Sequence, residues 1–298
     1  FLSGASKYKC NRRMKGIILA GGKGTRVYPM TLGVAKALLP IYDKPLIYYS
    51  LSTLIENGVD DICIISSPEH LESFRKTLGD GSRFGINLVY KEQVEPKGIA
   101  DAFTIAKNFI KQDDVALLLG DNLFYGSSVF SRAFKNFSSG GTIFAYEVND
   151  PERYGVIELS KSGEPVSLEE KPVNPKTNLA VPGLYIFDKS VVEVAESLQP
   201  SERGELEITD VIQFYIDRKN LKVYRINRGC AWLDAGTCKS MNEASEYVKV
   251  IEQRQGIKIG CPEEAAFKKK FLSQESLRKH ISQMPDVEYK SYLKMLIQ

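Results

Sequence analysis

The chain has 298 residues, 43% of them hydrophobic and 26% charged, a composition that supports a sizeable folded core. Its 40 basic and 37 acidic residues leave a formal net charge of +3, so nothing points to nucleic acid or a membrane surface as a partner. Two histidines exclude a His-rich metal site and argue against a His-based catalytic triad. The length favours one or two domains.

The five cysteines are odd in number and show no C-x-x-C spacing. This usage argues against a disulfide framework or a zinc site and favours a reducing compartment. Residues 1–13 precede Met14 and lack the apolar stretch of a signal peptide, and no apolar run approaches the ~18 residues of a membrane span. We therefore expect residues 1–13 to be a leader or cloning-derived extension, and the protein to be cytoplasmic.

The first half of the chain alternates short apolar runs with stretches of helical period. The apolar runs are continuous rather than alternating, which is typical of strands buried on both faces. We predict an α/β fold with a mixed, mostly parallel central sheet and helices on both faces. The predicted strands are at residues 16–20, 62–65, 88–90 and 115–119, and the predicted helices begin near Pro45, Pro68 and Ile99, the last ending near residue 110.

After Gly120 the pattern changes to strands that pair locally. Ser162 and Gly163 separate two short apolar stretches and predict a hairpin turn. Helical periodicity returns later and dominates the end of the chain. The predicted elements are strands at residues 142–147, 156–159, 166–169 and 184–187, helices at about residues 188–198, 207–218 and 239–254, and a helical tail after Gly260.

Three unusual loops each follow a predicted strand, at residues 20–26 (AGGKGTR), 93–98 (QVEPKG) and 120–122 (GDN). Because ligands bind at the carboxyl ends of the strands in an open parallel sheet, we expect these loops to meet at one edge. The first loop is neither a Walker A loop nor a Rossmann fingerprint, since Ile17 and Val27 stand where those motifs need glycine. It is either a glycine-rich cradle for an anion or a tight turn.

Side chains near these loops suit a polyphosphate and a metal ion. Arg26 and Lys36 can bind phosphate oxygens, the first through a bidentate guanidinium. Asp121 directly follows a predicted strand, and Asp234 follows another apolar run; each is either a Mg²⁺ ligand or a cap or turn residue. Gln93 can read a nucleobase edge through a paired donor and acceptor.

Several spaced motifs together resemble the sugar-1-phosphate nucleotidylyltransferase family. The resemblance runs from Met14 to about Pro262 and continues more loosely through the helical tail. Its signature covers residues 21–36 (GGKGTRVYPMTLGVAK) and 38–49 (LLPIYDKPLIYY). Companion motifs narrow it to the branch that uses dTTP and glucose 1-phosphate; they are residues 119–126 (LGDNLFYG), 150–155 (DPERYG), 169–172 (EEKP), 204–210 (GELEITD) and 231–237 (AWLDAGT).

The resemblance implies a Mg²⁺-dependent enzyme that converts dTTP and α-D-glucose 1-phosphate to dTDP-glucose and pyrophosphate, for deoxysugar synthesis of the rhamnose type. It also implies a homotetramer and a fold of the nucleotide-diphospho-sugar transferase type. We accordingly expect a catalytic domain at residues 14–260. It would comprise a nucleotide-binding core at residues 14–140 and a small β-rich sugar-phosphate-binding part at residues 141–237, with the helical tail at residues 261–298.

The resemblance also implies roles for individual residues. Arg26, Lys36 and Lys171 are the implied catalytic residues, and Asp121 and Asp234 are the implied Mg²⁺ ligands. The implied substrate-binding residues are Gly21, Gly22, Gly24 and Thr25 at the triphosphate, Gln93 and Gly98 at thymine, Asp121 at the nucleoside sugar, and Tyr146, Gly155, Glu170, Lys171 and Val181 at glucose 1-phosphate.

Two alternatives stay open. Asp101 stands where this branch commonly has glutamine, which motivates the same reaction with another base or sugar, such as UTP. A catalytically silent sugar-nucleotide-binding regulatory protein is the second alternative. Proteins of that kind tend to lose the arginine of the glycine loop or the metal carboxylates, whereas Arg26, Asp121 and Asp234 are all present here.

Overall fold

A computed structural model describes residues 13–126 and 128–298, so residues 1–12, most of the predicted leader, lie outside the described residues. The first half alternates strands and helices. Its elements are β1 (Met14–Leu19), β2 (Pro40–Ile41), β3 (Lys44–Pro45), α1 (Ile47–Glu56), β4 (Asp61–Ser66), α2 (Pro68–Leu78), β5 (Asn87–Glu92), α3 (Asp101–Ile105), α4 (Lys107–Ile110) and β6 (Asp114–Leu119).

The second half is richer in short strands and ends in helices. Its elements are β7 (Asn122–Tyr125), α5 (Val129–Asn136), β8 (Gly141–Glu147), β9 (Gly155–Leu159), β10 (Pro165–Glu170), β11 (Leu179–Ala180), β12 (Leu184–Phe187), α6 (Val191–Ser197), α7 (Ile208–Asp217), β13 (Leu221–Arg225), β14 (Ala231–Asp234), α8 (Cys238–Gln255), α9 (Pro262–Lys268), α10 (Gln274–Gln283) and α11 (Glu288–Met295).

A ten-stranded sheet forms the centre of the molecule. Its strand order is β10-β9-β11-β8-β12-β6-β1-β4-β5, with β13 pairing with β8. Strands β6, β1, β4 and β5 are mutually parallel, so their carboxyl ends share one edge. β12 joins this parallel unit antiparallel to β6, and β9 and β10 form the predicted hairpin. The predicted mixed sheet with its parallel core is confirmed.

Helices cover both faces of the sheet, as predicted. Successive side chains of a strand point to opposite faces, and Ile17 and Ile18, both fully buried, belong to different core clusters. Ile18 shares its cluster with Leu51 of α1, whereas Ile17 shares the other with Phe103 of α3 and side chains of α6 and α7. Burial on both faces explains why the strand sequences are continuously apolar.

The structure differs from the predicted elements in three respects, the first being that helix α5 was not predicted. The helix predicted from about residue 99 to 110 is divided at Ala106, whose φ of −87° and ψ of 3° separate α3 from α4. The strands β2, β3, β7, β11, β13 and β14 were not predicted. Most of them have two to four residues, which is too short to show a periodic pattern. β7 and β14 form a separate two-stranded ladder that matters for the site.

The C-terminal helices pack against the face of the sheet that α1 covers. Ala265 of α9, Leu277 of α10 and Leu293 of α11 belong to the same core cluster as Ile18. Within residues 13–126 and 128–298, the structure contains no helix with the length and apolar character to cross a bilayer. Four cysteines are described, and all are free thiols.

A buried ionic network ties α8 and the segment after it to the hairpin of β2 and β3. The Glu252 carboxylate accepts hydrogen bonds from Lys44 Nζ at 2.8 Å, from Lys258 Nζ at 3.0 Å and from the backbone N–H of Ile259 at 2.8 Å. Lys258 also donates to Asp43 at 2.6 Å. Because Glu252 is only 4% exposed, its charge depends on these partners. The network therefore anchors the hairpin that follows Lys36 in the chain.

Glu252→Ala is expected to destabilise the protein, because it leaves the buried ammonium groups of Lys44 and Lys258 without their shared carboxylate. Loss of one partner from a buried ion pair typically costs about 3–5 kcal/mol, and we expect about 3 kcal/mol because Asp43 still contacts both lysines. The free energy of unfolding in urea measures this. Glu243→Ala removes an exposed carboxylate of the same helix and should change it by less than ~1 kcal/mol. Equal effects of both variants would contradict the role of the network.

Candidate active site

The glycine loop lies directly after β1. At its start, the backbone N–H of Ala20 donates to Ile65 O at 2.8 Å. Gly24 has a φ of +61°, and a Cβ there would lie 2.7 Å from Thr31 Cγ2, so both conformation and space favour glycine. Buried Val27 then anchors the turn Thr25–Val27 in the core, while Gly22 and Arg26 stay exposed. The loop thus presents open backbone and a guanidinium at the carboxyl edge of the sheet.

Asp121 lies immediately beyond β6, next to β1 in the sheet, and forms an ion pair with Lys36. Asn122 Nδ2 donates to the other carboxylate oxygen of Asp121 at 2.9 Å. Burial alone would raise the pKa of Asp121, but Lys36, the Asn122 hydrogen bond and the charge of Arg26 together lower it. Asp121 is therefore held in its ionised form.

Asp234 reaches the same edge through the ladder of β7 and β14, in which it lies opposite Asn122. Asn122 is almost completely buried, and its side-chain oxygen accepts from Trp232 Nε1 at 2.7 Å and from the Gly183 N–H at 3.1 Å. The Asn122 side chain thereby links the segment after β6 to Trp232 in β14 and to Gly183, the residue before β12. The ladder brings the second carboxylate beside Asp121.

The two carboxylates repel each other. Burial, and then the charge of Asp121, raises the pKa of Asp234, although Lys36, Arg26 and Arg153 act in the opposite direction. Two adjacent carboxylates in a basic surrounding fit a hard divalent cation, which needs one or two carboxylates and completes its shell with phosphate and water oxygens. Among the described residues, no group of three or more His, Cys, Asp or Glu side chains forms a metal cage. The two adjacent carboxylates of Asp121 and Asp234 thus suit a hard divalent cation that also binds a phosphate ligand.

A cavity of about 600 Å³ opens beside these carboxylates, on the side of β12 and the β9–β10 hairpin. Aromatic walls of Tyr154, Tyr185 and Trp232 and several charged side chains line it. Such a mixture of apolar walls and a few polar groups is typical of small-molecule sites. Eight of the residues singled out from the sequence line this one cavity: Thr25, Arg26, Asp121, Gly155, Glu170, Lys171, Val181 and Asp234.

Glu170 and Lys171 line the cavity at the end of β10. Glu170 ends β10 opposite Gly155, where a Cβ would lie 3.3 Å from the Glu170 carboxylate, so the small residue leaves room for it. Lys171 has a φ of +45°, a strained conformation for a residue with a side chain. Its backbone N–H donates to Tyr154 O at 3.0 Å, and its Nζ lies 3.1 Å from Glu170. The half-exposed side chain of Lys171 thus places its ammonium group next to the Glu170 carboxylate at the cavity wall.

The remaining predicted residues lie around this cavity rather than in it. Gln93 follows β5 and lies against Gly21, because a Cβ on Gly21 would be 2.7 Å from Gln93 Oε1. Gly98 has a φ of +107°, and a Cβ there would lie 2.4 Å from Leu206 O, so only glycine fits this close approach. Tyr146 lines an adjacent cavity beyond Trp232 and donates to Cys230 O at 3.0 Å. The two cavities share Tyr154, Trp232 and Asp234 as a common wall, so the placement of Tyr146 at glucose 1-phosphate stays a prediction.

Sequence reasoning missed two arginines of the site. Arg153 binds Asp150 at 2.6 Å and lies 3.5 Å from Asp234, while Arg203 lies 3.6 Å from Glu170. Both line the cavity. Arg153 lies inside the DPERYG motif and Arg203 directly precedes GELEITD, so the motifs identified these two segments as functional but not the arginines themselves. Their convergence on two acidic site residues depends on the tertiary fold and leaves no signal in the sequence.

Comparison with known proteins agrees with this geometry. The family model described as nucleotidyl transferase matches residues 15–250. The chain is 51% identical to the glucose-1-phosphate thymidylyltransferase of Mycolicibacterium smegmatis, over 95% of this chain and 99% of that protein. It is 48% identical to the protein of the same name from Neisseria meningitidis serogroup A, over 95% and 99%.

Solved structures show the same fold. The structure of a candidate glucose-1-phosphate thymidylyltransferase from Bacillus anthracis, in complex with sucrose, matches with a TM-score of 0.74 at 38% identity, over 78% of this chain and 94% of that one. UDP-glucose pyrophosphorylase complexed with UDP-glucose matches in fold with a TM-score of 0.71 at 24% identity, over 80% and 99%. The chain belongs to the nucleotidyl transferase family, in the group that contains the glucose-1-phosphate thymidylyltransferases.

Proposed function

We propose that the chain is a glucose-1-phosphate thymidylyltransferase, which converts dTTP and α-D-glucose 1-phosphate to dTDP-glucose and pyrophosphate. The observation that carries this proposal is one cavity lined both by Arg26, Asp121 and Asp234 and by Glu170 and Lys171. Relatives of this name that match nearly the whole chain at 45–51% identity support the same reaction.

The reaction joins two polyanions, so its barrier is largely one of charge and position. A phosphate oxygen of glucose 1-phosphate attacks the α-phosphorus of dTTP in line, and the bond to the β-phosphate oxygen breaks as pyrophosphate leaves. Arg26 and Lys36 balance the charge that develops on the α-phosphate and the leaving pyrophosphate. Lys171 orients the attacking phosphate, and the backbone of Gly21, Gly22 and the rest of the loop cradles the triphosphate.

No protein base is needed for the attack, because a phosphate monoester is already ionised at neutral pH. This accounts for a site without histidine or cysteine among its cavity-lining residues. Asp121 and Asp234 would hold Mg²⁺, which when bound would supply positive charge that offsets the charge of the phosphates. The predicted homotetramer, the cytoplasmic location and the supply of dTDP-glucose to deoxysugar synthesis remain part of this proposal.

The proposal is tested by pyrophosphate release from dTTP and glucose 1-phosphate in the presence of Mg²⁺, with the sugar nucleotide identified by mass. Omitting glucose 1-phosphate is the control for simple hydrolysis. A panel of dTTP, UTP, dCTP and dATP at equal concentration separates this function from the same reaction with another base. Binding of dTDP-glucose without turnover on any of the four nucleotides would favour the catalytically silent alternative.

Arg26→Ala is expected to lower kcat by about 10²–10³-fold, because one preorganised donor to the transition state is removed. Arg26 is exposed, but its charge also favours the ionised forms of Asp121 and Asp234, so its loss should lower the free energy of unfolding by no more than ~1 kcal/mol. Steady-state pyrophosphate release measures the first quantity and thermal unfolding checks the second. Arg278→Ala, an exposed arginine on α10, is the matched control and should leave kcat unchanged. Near-native turnover of the Arg26 variant would contradict the assigned role.

Asp234→Asn is expected to change activity and stability in opposite directions. The raised pKa of Asp234 means that folding disfavours its ionised form, and the substitution removes both that cost and the repulsion with Asp121. The metal-free variant should therefore be at least as stable as the parent in thermal unfolding. Its turnover with Mg²⁺ should fall about 10²-fold or more, as should its apparent Mg²⁺ affinity. A destabilised variant that keeps its Mg²⁺ dependence would rule out this account.

A further inference from the structure

Gln93 is a polar side chain that is only 5% exposed, at the carboxyl end of β5. Its backbone N–H donates to Ser66 O at 2.8 Å and continues the pairing of β4 and β5, which places its Cα firmly on the sheet edge. Its side-chain nitrogen Nε2 donates to Asp101 Oδ2 at 3.0 Å and to Gly98 O at 3.4 Å. Both amide hydrogens of Gln93 are thus directed at neighbours within the protein.

These two neighbours decide which way the amide faces. A backbone carbonyl and an ionised carboxylate accept hydrogen bonds and donate none, so only the nitrogen of the amide can face them. The oxygen Oε1 then faces the opposite side, toward the glycine loop, where it lies 2.7 Å from the position of a Cβ on Gly21. Gln93 therefore offers an acceptor, and not a paired donor and acceptor, to whatever binds beside the loop.

The order of the strands indicates what binds there. Taking the proposed function as the premise, the sugar cavity lies on the side of β6 and β12, and the triphosphate loop follows β1. β4 and β5 lie on the other side of β1, so a nucleotide whose phosphates occupy the loop extends its base toward the end of β5. Gln93 Oε1 is the buried polar atom that faces the loop from that direction.

We propose that Asp101 is the positioning residue for base selection: it holds the Gln93 amide so that Oε1 faces the base and selects bases with a ring N–H donor. Thymine and uracil carry that donor at N3, whereas N3 of cytosine is an acceptor and opposes Oε1. Asp101 thus makes the selection for thymine or uracil over cytosine stricter. The aspartate in place of the common glutamine had suggested the opposite, a relaxed selection of the base. The arrangement does not distinguish thymine from uracil, because both carry the same N3–H.

The test is the ratio of kcat/KM for dTTP to that for dCTP, in the parent protein and in Asp101→Asn. An asparagine can donate as well as accept, so it permits the Gln93 amide to turn and offer its nitrogen to the base. The ratio should fall by about 10–100-fold, the size expected from the gain or loss of one buried hydrogen bond. A merely structural role would lower both rates and leave the ratio unchanged.

Three controls sharpen this experiment. The ratio for dTTP to dUTP should stay constant in Asp101→Asn, because both bases carry the imide N–H. Asp101→Ala removes the acceptor for Gln93 Nε2 without supplying a donor, and it should also lower the ratio of kcat/KM for dTTP to that for dCTP. Asp217→Asn, an exposed carboxylate bound to Gln213 on α7, should leave every ratio unchanged.

Calorimetric binding of dTDP and dCDP gives the same ratio without turnover. Binding therefore tests the role of Asp101 separately from the proposed function. A parent protein that releases no pyrophosphate from any nucleotide overturns the proposed function but not the role of Asp101 in base selection. A parent protein that binds or uses cytosine and thymine nucleotides equally overturns the role of Asp101, as does an unchanged ratio in both Asp101 variants.

Discussion

The close approach of two carboxylates, Asp121 and Asp234, is the constraint on which the rest of the site depends. Neither charge is tolerable in a buried position alone, and burial together with the charge of Asp121 raises the pKa of Asp234. The pairing of Asp121 with Lys36, and the nearby guanidinium groups of Arg26 and Arg153, compensate for this repulsion. Under the proposed function the same cations face the phosphates of the nucleotide, so the groups that stabilise the carboxylate pair are also those that the chemistry needs.

The surrounding fold keeps this charged centre in place. Asn122 links the end of β6 with Trp232 and Gly183, and the buried contacts of Glu252 with Lys44 and Lys258 anchor the hairpin beyond Lys36. These are satisfied polar networks inside a core that is otherwise apolar on both faces of the sheet. The near-neutral overall charge of +3 therefore conceals a site in which several charges of both signs line one cavity.

Much of the fold could be predicted because the parallel strands are buried on both faces and read as continuous apolar runs. The loops after β1 and β6 were predictable for the same reason, since each directly follows such a run, whereas β5 is a partly buried edge strand. The proximity of Asp234 to Asp121 was not, because it depends on β7 and β14, each only four residues long. Nor was the orientation of Gln93, which is decided by Asp101 in the next element. Contacts of this kind arise only when separate segments meet.

Under the proposed function base, phosphates and sugar lie in order along one sheet edge, across the carboxylate pair. A crystal structure of the protein with dTDP-glucose and Mg²⁺ would show this order. We expect thymine N3 at Gln93 Oε1, the diphosphate against the loop that carries Arg26, Mg²⁺ beside Asp121 and Asp234, and glucose next to Glu170. A glucose ring outside the cavity lined by Glu170, or Mg²⁺ bound away from both aspartates, would contradict it.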